Sequence, residues 1–498
     1  MNIVNLFLEA SEAYPNQKAI IEKNKEITFA TLSKEVQETA LYFQNKGIQK
    51  GDRVLVFIPM SIDLYRTVLA LFYIGATAVF LDEWVNKKRL DICCEIAQCK
   101  GFIAGTKVRL LALFSKELRK IPVKLNPNKR EYGTLAPLDL IGDTPALITF
   151  TTGSTGTPKA ALRSHVFLNE QFKALLHEIQ PKPTDIDMPI LPIVLFVNLG
   201  VGCTSIIADY KQTKPNNLDP KKIINQLIKN NVSRITASPF FIKRLAEFSV
   251  ENRIKLPKLE KLFTGGAPVF PSEAKLYCNA FPDTDSIIAY GSTEAEPISS
   301  ISAKTLSQNE TLDSGLPVGQ LYPNAEVRII KSTEEVITLS ENESLENYSF
   351  SNGSIGEIIV SGHHVLAAYF NNQKAFNRNK IIEYNKIWHR TGDSGFIKNG
   401  ELYLTGRCAQ LISKNGKLIS PFIIENQLQQ IMGVTMGTML EINSKIAIIL
   451  ESKMGEKELL LLLKSFEFDE IKLIEKIPRD PRHNSKIDYG KLKLILTT

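Results

Sequence analysis

Cysteine is scarce in this chain: six residues among 498, too few for a disulfide framework. Cys93, Cys94 and Cys99 cluster, but two of them are adjacent and no histidine is near in sequence. They read as buried thiols on a helix in a reducing compartment. The His, Cys, Asp and Glu spacings hold no zinc signature. Blocks of like charge are also missing. Sixty Lys and Arg are interspersed with 53 Asp and Glu, for a net charge of +7. This argues against a nucleic-acid arm and agrees with anionic small substrates. Long apolar runs are absent too: the longest, Val68 to Leu81, lies between Arg66 and Asp82 and is too short to span a bilayer. The opening MNIVNLFLEASEAYP carries Glu9 and Glu12 where a secretory signal needs an apolar stretch. With no membrane span and no export signal, a cytoplasmic protein is expected. Internal repeats and low-complexity tracts are lacking as well.

What is present is the composition of a globular protein, 44% apolar and 23% charged, in a chain long enough for two or more domains. Strand-like and helix-like apolar stretches alternate: RVLVFIP at 53–59, IDLYRTVLALFYIGA at 62–76, TAVFLD at 77–82, ALITF at 146–150. The helical LDPKKIINQLIKNNV precedes RITASP at 234–239. The alternation predicts an α/β fold with parallel-type sheets. Between 326 and 405, the short strands EVRII, GEIIV and ELYLTG between Gly and Asn turns predict a small antiparallel, β-barrel-like module. Ser340 to Ser354 is polar and reads as an exposed loop. The last ninety or so residues, with IAIILES and KELLLLLKSF, predict a small α+β unit.

The strongest local signal is Thr151-Thr152-Gly153-Ser154-Thr155-Gly156-Thr157-Pro158-Lys159, directly after the apolar strand ALITF. Glycines let successive backbone N–H groups face one anion, the hydroxyls add donors, and Lys159 adds charge. The spacing is not that of the common nucleotide-hydrolase P-loop, G-x-x-x-x-G-K-[ST]. His165 and His389 read as structural, and His363-His364 as an exposed pair.

TTGSTGTPK resembles the phosphate loop of adenylate-forming enzymes: acyl-CoA synthetases, fatty acyl-AMP ligases, luciferases and peptide-synthetase adenylation domains. Further strings occur in that family's order. Gly265-Gly266-Ala267-Pro268 resembles its adenine-side turn, and Tyr290-Gly291-Ser292-Thr293-Glu294 its Y-G-x-T-E motif. Thr391-Gly392-Asp393 with Gly406-Arg407 resembles the ribose-binding pair, and Pro478 to Lys486 the C-terminal lysine loop. The resemblance implies an adenylation domain over 1–405 and a mobile lid over 406–498. It implies ATP, Mg²⁺ and a carboxylic acid as partners, leaves CoA or a carrier-protein thiol open, and leaves the oligomeric state undecided. Thr151 to Lys159 would cradle the β- and γ-phosphates, Glu294 would hold Mg²⁺, and Thr293 would face the α-phosphate. Tyr290 would offer its ring to adenine, Asp393 and Arg407 would meet the ribose, and Lys486 would meet charge developing at the carboxylate.

Departures from the family pattern are informative. After Gly406-Arg407 the chain reads CAQLISKNG, so Ala409 stands at the usual acidic hinge, Gln410 replaces Asp and Ser413 replaces Lys. The loop RHNSKI, with YGSTEAEP, WHRTGD and LDEWVNKKRL, resembles the olefin β-lactone synthetases, in which a β-hydroxyl attacks its own activated acyl group. An internal nucleophile needs no CoA site. The same features also suit lineage differences within a CoA ligase. Retention of Lys486 and Glu294 argues against a non-catalytic nucleotide-binding regulator. The acyl pocket is expected between the helix after the phosphate loop and LPIVLFVNLG, with Leu195, Phe196 and Val197 on its wall and Gly265 on its floor. None of them is charged, which favours a fatty or otherwise hydrophobic acid over an amino acid, whose ammonium would need a carboxylate to hold it.

Overall fold

The apolar run from Val68 to Leu81 divides at Gly75, whose φ of 67° no branched residue would readily adopt. Before it, helix Ile62–Tyr73 begins at Ser61, whose hydroxyl accepts from the Leu64 amide, and buries every residue except Asp63. After it, strand Thr77–Phe80 enters a sheet. In this computed structural model the described residues are 1–81, 87–105, 115–152, 158–210, 215–309, 315–350, 353–414, 417–479 and 487–497.

That sheet has seven strands among the described residues. Val123–Leu125, Gly101–Ala104, Arg53–Phe57, Thr77–Phe80 and Pro145–Thr152 run parallel. Pro158–Ser164 and then Ala368–Tyr369 are added antiparallel. Parallel strands need both faces covered, which is why their sequences read as continuous apolar runs.

A second sheet of fourteen described strands carries the rest of the α/β part. Lys18–Glu22, Thr204–Ile207, Ile186–Pro189, Arg234–Ala237, Lys261–Gly265 and Asp285–Ser292 are parallel neighbours. Two of the helices between them start on a polar cap followed by proline, at Asp219-Pro220 and Ser238-Pro239. Beyond Asp285–Ser292 the pairing turns antiparallel through Ala295–Ser302, Leu316–Leu321, Glu401–Arg407, Lys386–Lys398, Gly356–Ser361 and Glu326–Ile330. The antiparallel strands expected over 326–405 therefore form, but they extend this sheet instead of closing a barrel. Ser340–Phe350 is a loop, pinned by the fully buried Leu345.

After Ser420-Pro421 the chain builds a three-stranded sheet from Val434–Ile442, Lys445–Ser452 and Glu470–Leu473. Its hairpin turn places Asn443 and Ser444 at φ 50° and 64°, the left-handed pair that suits a tight two-residue connection. Ile446, Ile448 and Leu450 face one core with Leu428 and Leu459. Ala447 and Ile449 face another with Ile477 and Leu492. The continuous IAIIL run thus fills two layers by simple alternation. No helix among the described residues is long and apolar enough to cross a membrane.

Candidate active site

A cleft of about 1610 Å³ opens where the two large sheets and the C-terminal unit meet. The expected motifs converge on its walls: Lys159, Gly265 to Pro268, Tyr290 to Glu294, Thr391 to Asp393, and Arg407. Strands Pro145–Thr152 and Pro158–Ser164 pair up to Thr152 opposite Pro158, which fixes both ends of the glycine-rich stretch. Gly153, Ser154, Thr155, Gly156 and Thr157 lie outside the described residues, as do the side chains of Thr151 and Thr152.

Two glycines are steric necessities. A Cβ on Gly265 would come 2.7 Å from the Ala289 carbonyl oxygen, and one on Gly291 would come 2.8 Å from that of Ala295. Each would push apart strands that carry the site. Gly266 follows at φ 83°, turning the chain so that Ala267 and Pro268 border the cleft.

The opposite wall is held by the string WHRTGD in strand Lys386–Lys398. Trp388 is fully buried and donates to Glu383 at 3.0 Å. Arg390 donates through Nη2 to Glu357 at 2.6 Å. These anchors deliver Asp393 to the cleft. Its Oδ2 accepts from the Tyr290 hydroxyl at 2.8 Å, and its Oδ1 lies 3.1 Å from Arg407 Nε. Burial, reinforced by the Asp393 charge, holds the Tyr290 phenol far above its ordinary range. Asp393 in turn holds the Arg407 guanidinium charged. Tyr290, expected to act through its ring, is thus also oriented through its hydroxyl.

Around Glu294 the structure joins to Lys159 two cations that the sequence did not single out. Arg163 is buried and donates to Thr149 Oγ1 at 2.7 Å and to the Thr293 carbonyl at 3.0 Å, between Glu294 and Glu296. Burial raises the Glu296 carboxyl, and Arg163 opposes that shift. Lys159 donates to Asn379 Oδ1 at 2.9 Å and sits 5.8 Å from the centre of the Tyr369 ring. Lys380 packs on the same ring at the same distance and donates to the Leu366 carbonyl. The Tyr369 hydroxyl donates to Glu294 Oε1 at 3.3 Å, while the Leu366 amide donates to the Glu294 carbonyl at 2.7 Å. Burial pushes the Lys380 amine down to about 7, with Glu294 opposing. A pool of positive charge so arranged is built for anions. Only Lys159 announces itself by motif. Arg163, Asn379 and Lys380 have no string signature; the register that sets Lys380 opposite His389 could not be read in advance.

One expectation for the histidines needs correction. His165 and His389 are buried, but of the pair expected to be exposed only His363 is; His364 is 2% exposed and bonds the Pro297 carbonyl at 2.9 Å. Lys486 lies outside the described residues. The chain flanking its loop reaches the cleft, because Arg479 and Ile487 pair as a bridge and both line it. Ala409 and Gln410, in the short turn Cys408–Gln410, line it too.

One end of the cleft is apolar. Phe196, Val197 and Gly200 of helix Pro192–Val201 line it, with Leu168 and Phe172 of helix His165–Ile179. Gly200 allows close packing, since a Cβ there would come 2.7 Å from the Phe172 ring. Leu195 is fully buried in the core behind this wall.

A profile of the AMP-binding enzyme family matches residues 7–370. Among curated proteins, the olefin beta-lactone synthetase of Xanthomonas campestris pv. campestris is 29% identical over 409 residues, covering 76% of this chain and 72% of the relative. A putative acyl-CoA ligase of Bacillus subtilis is 24% identical over 84% of this chain and 81% of its own length. Among solved structures, the amide bond synthetase McbA of Marinactinospora thermotolerans superposes with a TM-score of 0.82 at 19% identity, over 99% of each chain. O-succinylbenzoate coenzyme A synthetase of Bacillus subtilis, in complex with AMP, gives 0.80 at 19% identity over 98% of each. The last two likenesses are of fold. With a family profile across most of its length and the family's motifs around one cleft, this chain belongs to the AMP-binding enzymes.

Proposed function

We propose that the protein couples ATP to activation of a hydrophobic carboxylic acid, forming acyl-AMP and pyrophosphate, and that a β-hydroxyl of the same acid then attacks the acyl carbon, loses its proton and closes a lactone as AMP leaves. The observation that carries this is the joining, in one cleft, of a cation-rich end around Glu294 to an apolar end walled by Phe196 and Val197. Adenylation brings a carboxylate against a polyphosphate, so repulsion between anions must be offset and the reacting groups held in line. Lys159 and Arg163 supply positive charge, with the Thr151–Thr157 stretch cradling the terminal phosphates. Glu294 stands among Lys159, Arg163 and Lys380, with Glu296 on the other side of Arg163, which suits Mg²⁺ arriving with the nucleotide, since that ion keeps several waters and few protein ligands. When bound, Mg²⁺ neutralises phosphate oxygens. Asp393 and Arg407 receive the ribose, Tyr290 and Gly266 to Pro268 border the adenine, and Thr293 faces the α-phosphate. Residues 1–405 act as the adenylation domain, and 406–498 as a lid that brings Lys486 to the reacting carboxylate.

Transfer to a thiol is the second reading, favoured by the likeness to an acyl-CoA ligase. Ala409 and Gln410 at the hinge speak for the lactone, because no second domain arrangement is needed when the nucleophile is part of the acid. Mass spectrometry of products from a panel of fatty and β-hydroxy fatty acids with ATP and Mg²⁺, with and without CoA, decides between them. Lactone formed without CoA supports the proposal. Acyl-CoA as the sole released product, with no turnover in its absence, leaves the thioester reading.

A further inference from the structure

Helix His165–Ile179 turns His165, Leu168, Gln171 and Leu175 inward, one face at helical spacing. Gln171 stands among the leucines on that face and lines the cleft with Leu168, Phe172 and Leu175. It is 3% exposed, and its Oε1 has no hydrogen-bond partner. Other inward amides of this chain are paired. Asn198 donates to Asp187 at 2.7 Å and to Ser205 at 3.0 Å, and Gln226 donates to the Ile207 carbonyl at 2.9 Å. Among the described residues, Gln171 is the one Asn or Gln whose buried oxygen is orphaned. A leucine at this point of the face would carry no such penalty, so an unpaired buried amide oxygen in an apolar arm calls for a donor. A lone water there would need further polar partners, and the buried helical neighbours of Gln171, Phe167, Leu168, Ala174 and Leu175, are apolar.

We propose that Gln171 is a specificity-determining residue that reads a hydroxyl on the chain of the bound acid, the hydroxyl hydrogen donating to Gln171 Oε1. This rests on the reading of the cleft as acid-activating. It adds a consequence of its own: acids without the hydroxyl leave the amide unpaired and are handicapped, because a site built to hydrogen-bond a substrate group discriminates strongly against the analogue that lacks it.

The test compares kcat/KM for pyrophosphate release with tetradecanoic acid and with its 2-, 3- and 14-hydroxy derivatives, in the wild type and in Gln171→Leu, with Gln171→Met as a second variant should the first misfold. The wild type is expected to prefer one hydroxy acid over the parent by roughly tenfold or more. In Gln171→Leu that ratio should fall to about one while the parent acid is activated at least as fast as by the wild type. A merely structural role would change both substrates together and leave the ratio standing. No hydroxyl preference in the wild type, or a preference that survives both substitutions, overturns the role of Gln171 while acid activation stands. If no acid releases pyrophosphate, acid activation itself falls.

Discussion

Asp393 gives one carboxylate oxygen to the Tyr290 hydroxyl and the other to Arg407, so one acidic side chain fixes two neighbours on different strands. Asp393→Ala should therefore raise the Kd for ATP by about tenfold or more, since hydrogen bonds to a charged group contribute about 1.5–3 kcal/mol. Isothermal titration checks it, and an unchanged Kd would remove Asp393 from the nucleotide site. Lys486→Ala should behave differently. A cation that meets charge developing in the transition state affects rate more than binding, so adenylation should slow by roughly 10²–10³ with ATP affinity nearly intact. Asn379 is a subtler case. Its side-chain oxygen is the acceptor that holds Lys159, and Asn379→Ala should lower kcat by about tenfold with a smaller change in the KM for ATP. Steady-state kinetics with pyrophosphate detection separates the two parameters. At this scale the cleft lining was legible where it is written as a string: YGSTE and TGD border the cleft, as does Lys159 at the end of TTGSTGTPK. The sequence was silent on Arg163, Asn379 and Lys380. Their roles come from strand register and burial, and nothing local distinguishes them from ordinary surface residues.

The helix that follows the phosphate loop is tied to the first helix of the chain by one imidazole. His165 Nδ1 accepts the amide of Ile3, the residue that begins helix Val4–Ala13, at 3.2 Å. Only the neutral ring can accept, and burial lowers the His165 pKa to about 4. A group whose folded pKa lies below its unfolded value near 6.5 contributes stability fully above 6.5. That contribution is lost as the pH falls from 6.5 toward 4. The loss amounts to at most about 3 kcal/mol, from the linkage between pKa and stability. Thermal unfolding of the wild type should show this acid-side decline, and His165→Phe should flatten it between pH 6.5 and 4; an identical slope in the two proteins would refute the anchor. Element types were well marked in the sequence because apolar period, caps and glycines agree. RVLVFIP became Arg53–Phe57, and LDPKKIINQLIKNNV became the capped helix Pro220–Lys229. The expected barrel failed for a physical reason. Short antiparallel strands look alike whether they close on themselves or extend an existing sheet, and the deciding partners, Leu316–Leu321 against Glu401–Arg407, lie some eighty residues apart.

At the scale of the molecule, three groups of elements make one cleft that none could make alone. The parallel sheets bring loop ends together, the antiparallel extension presents Asp393 and Arg407, and the C-terminal unit approaches with the flanks of the lysine loop. Motif order along the chain made this convergence readable from the sequence, whereas the depth and polarity of the apolar arm depended on which helical faces turned inward. Leu195, expected on the wall, faces the core, and Gln171, carried by no motif, faces the cleft. The central claim is that a carboxylate attacks the α-phosphate of ATP in this cleft. Acid-dependent exchange of labelled pyrophosphate into ATP, with Mg²⁺ and without CoA, tests it most directly. The account predicts exchange that requires a hydrophobic acid and is nearly abolished in Lys486→Ala. Absence of exchange across the whole panel of acids, or release of ADP and phosphate in its place, would contradict it.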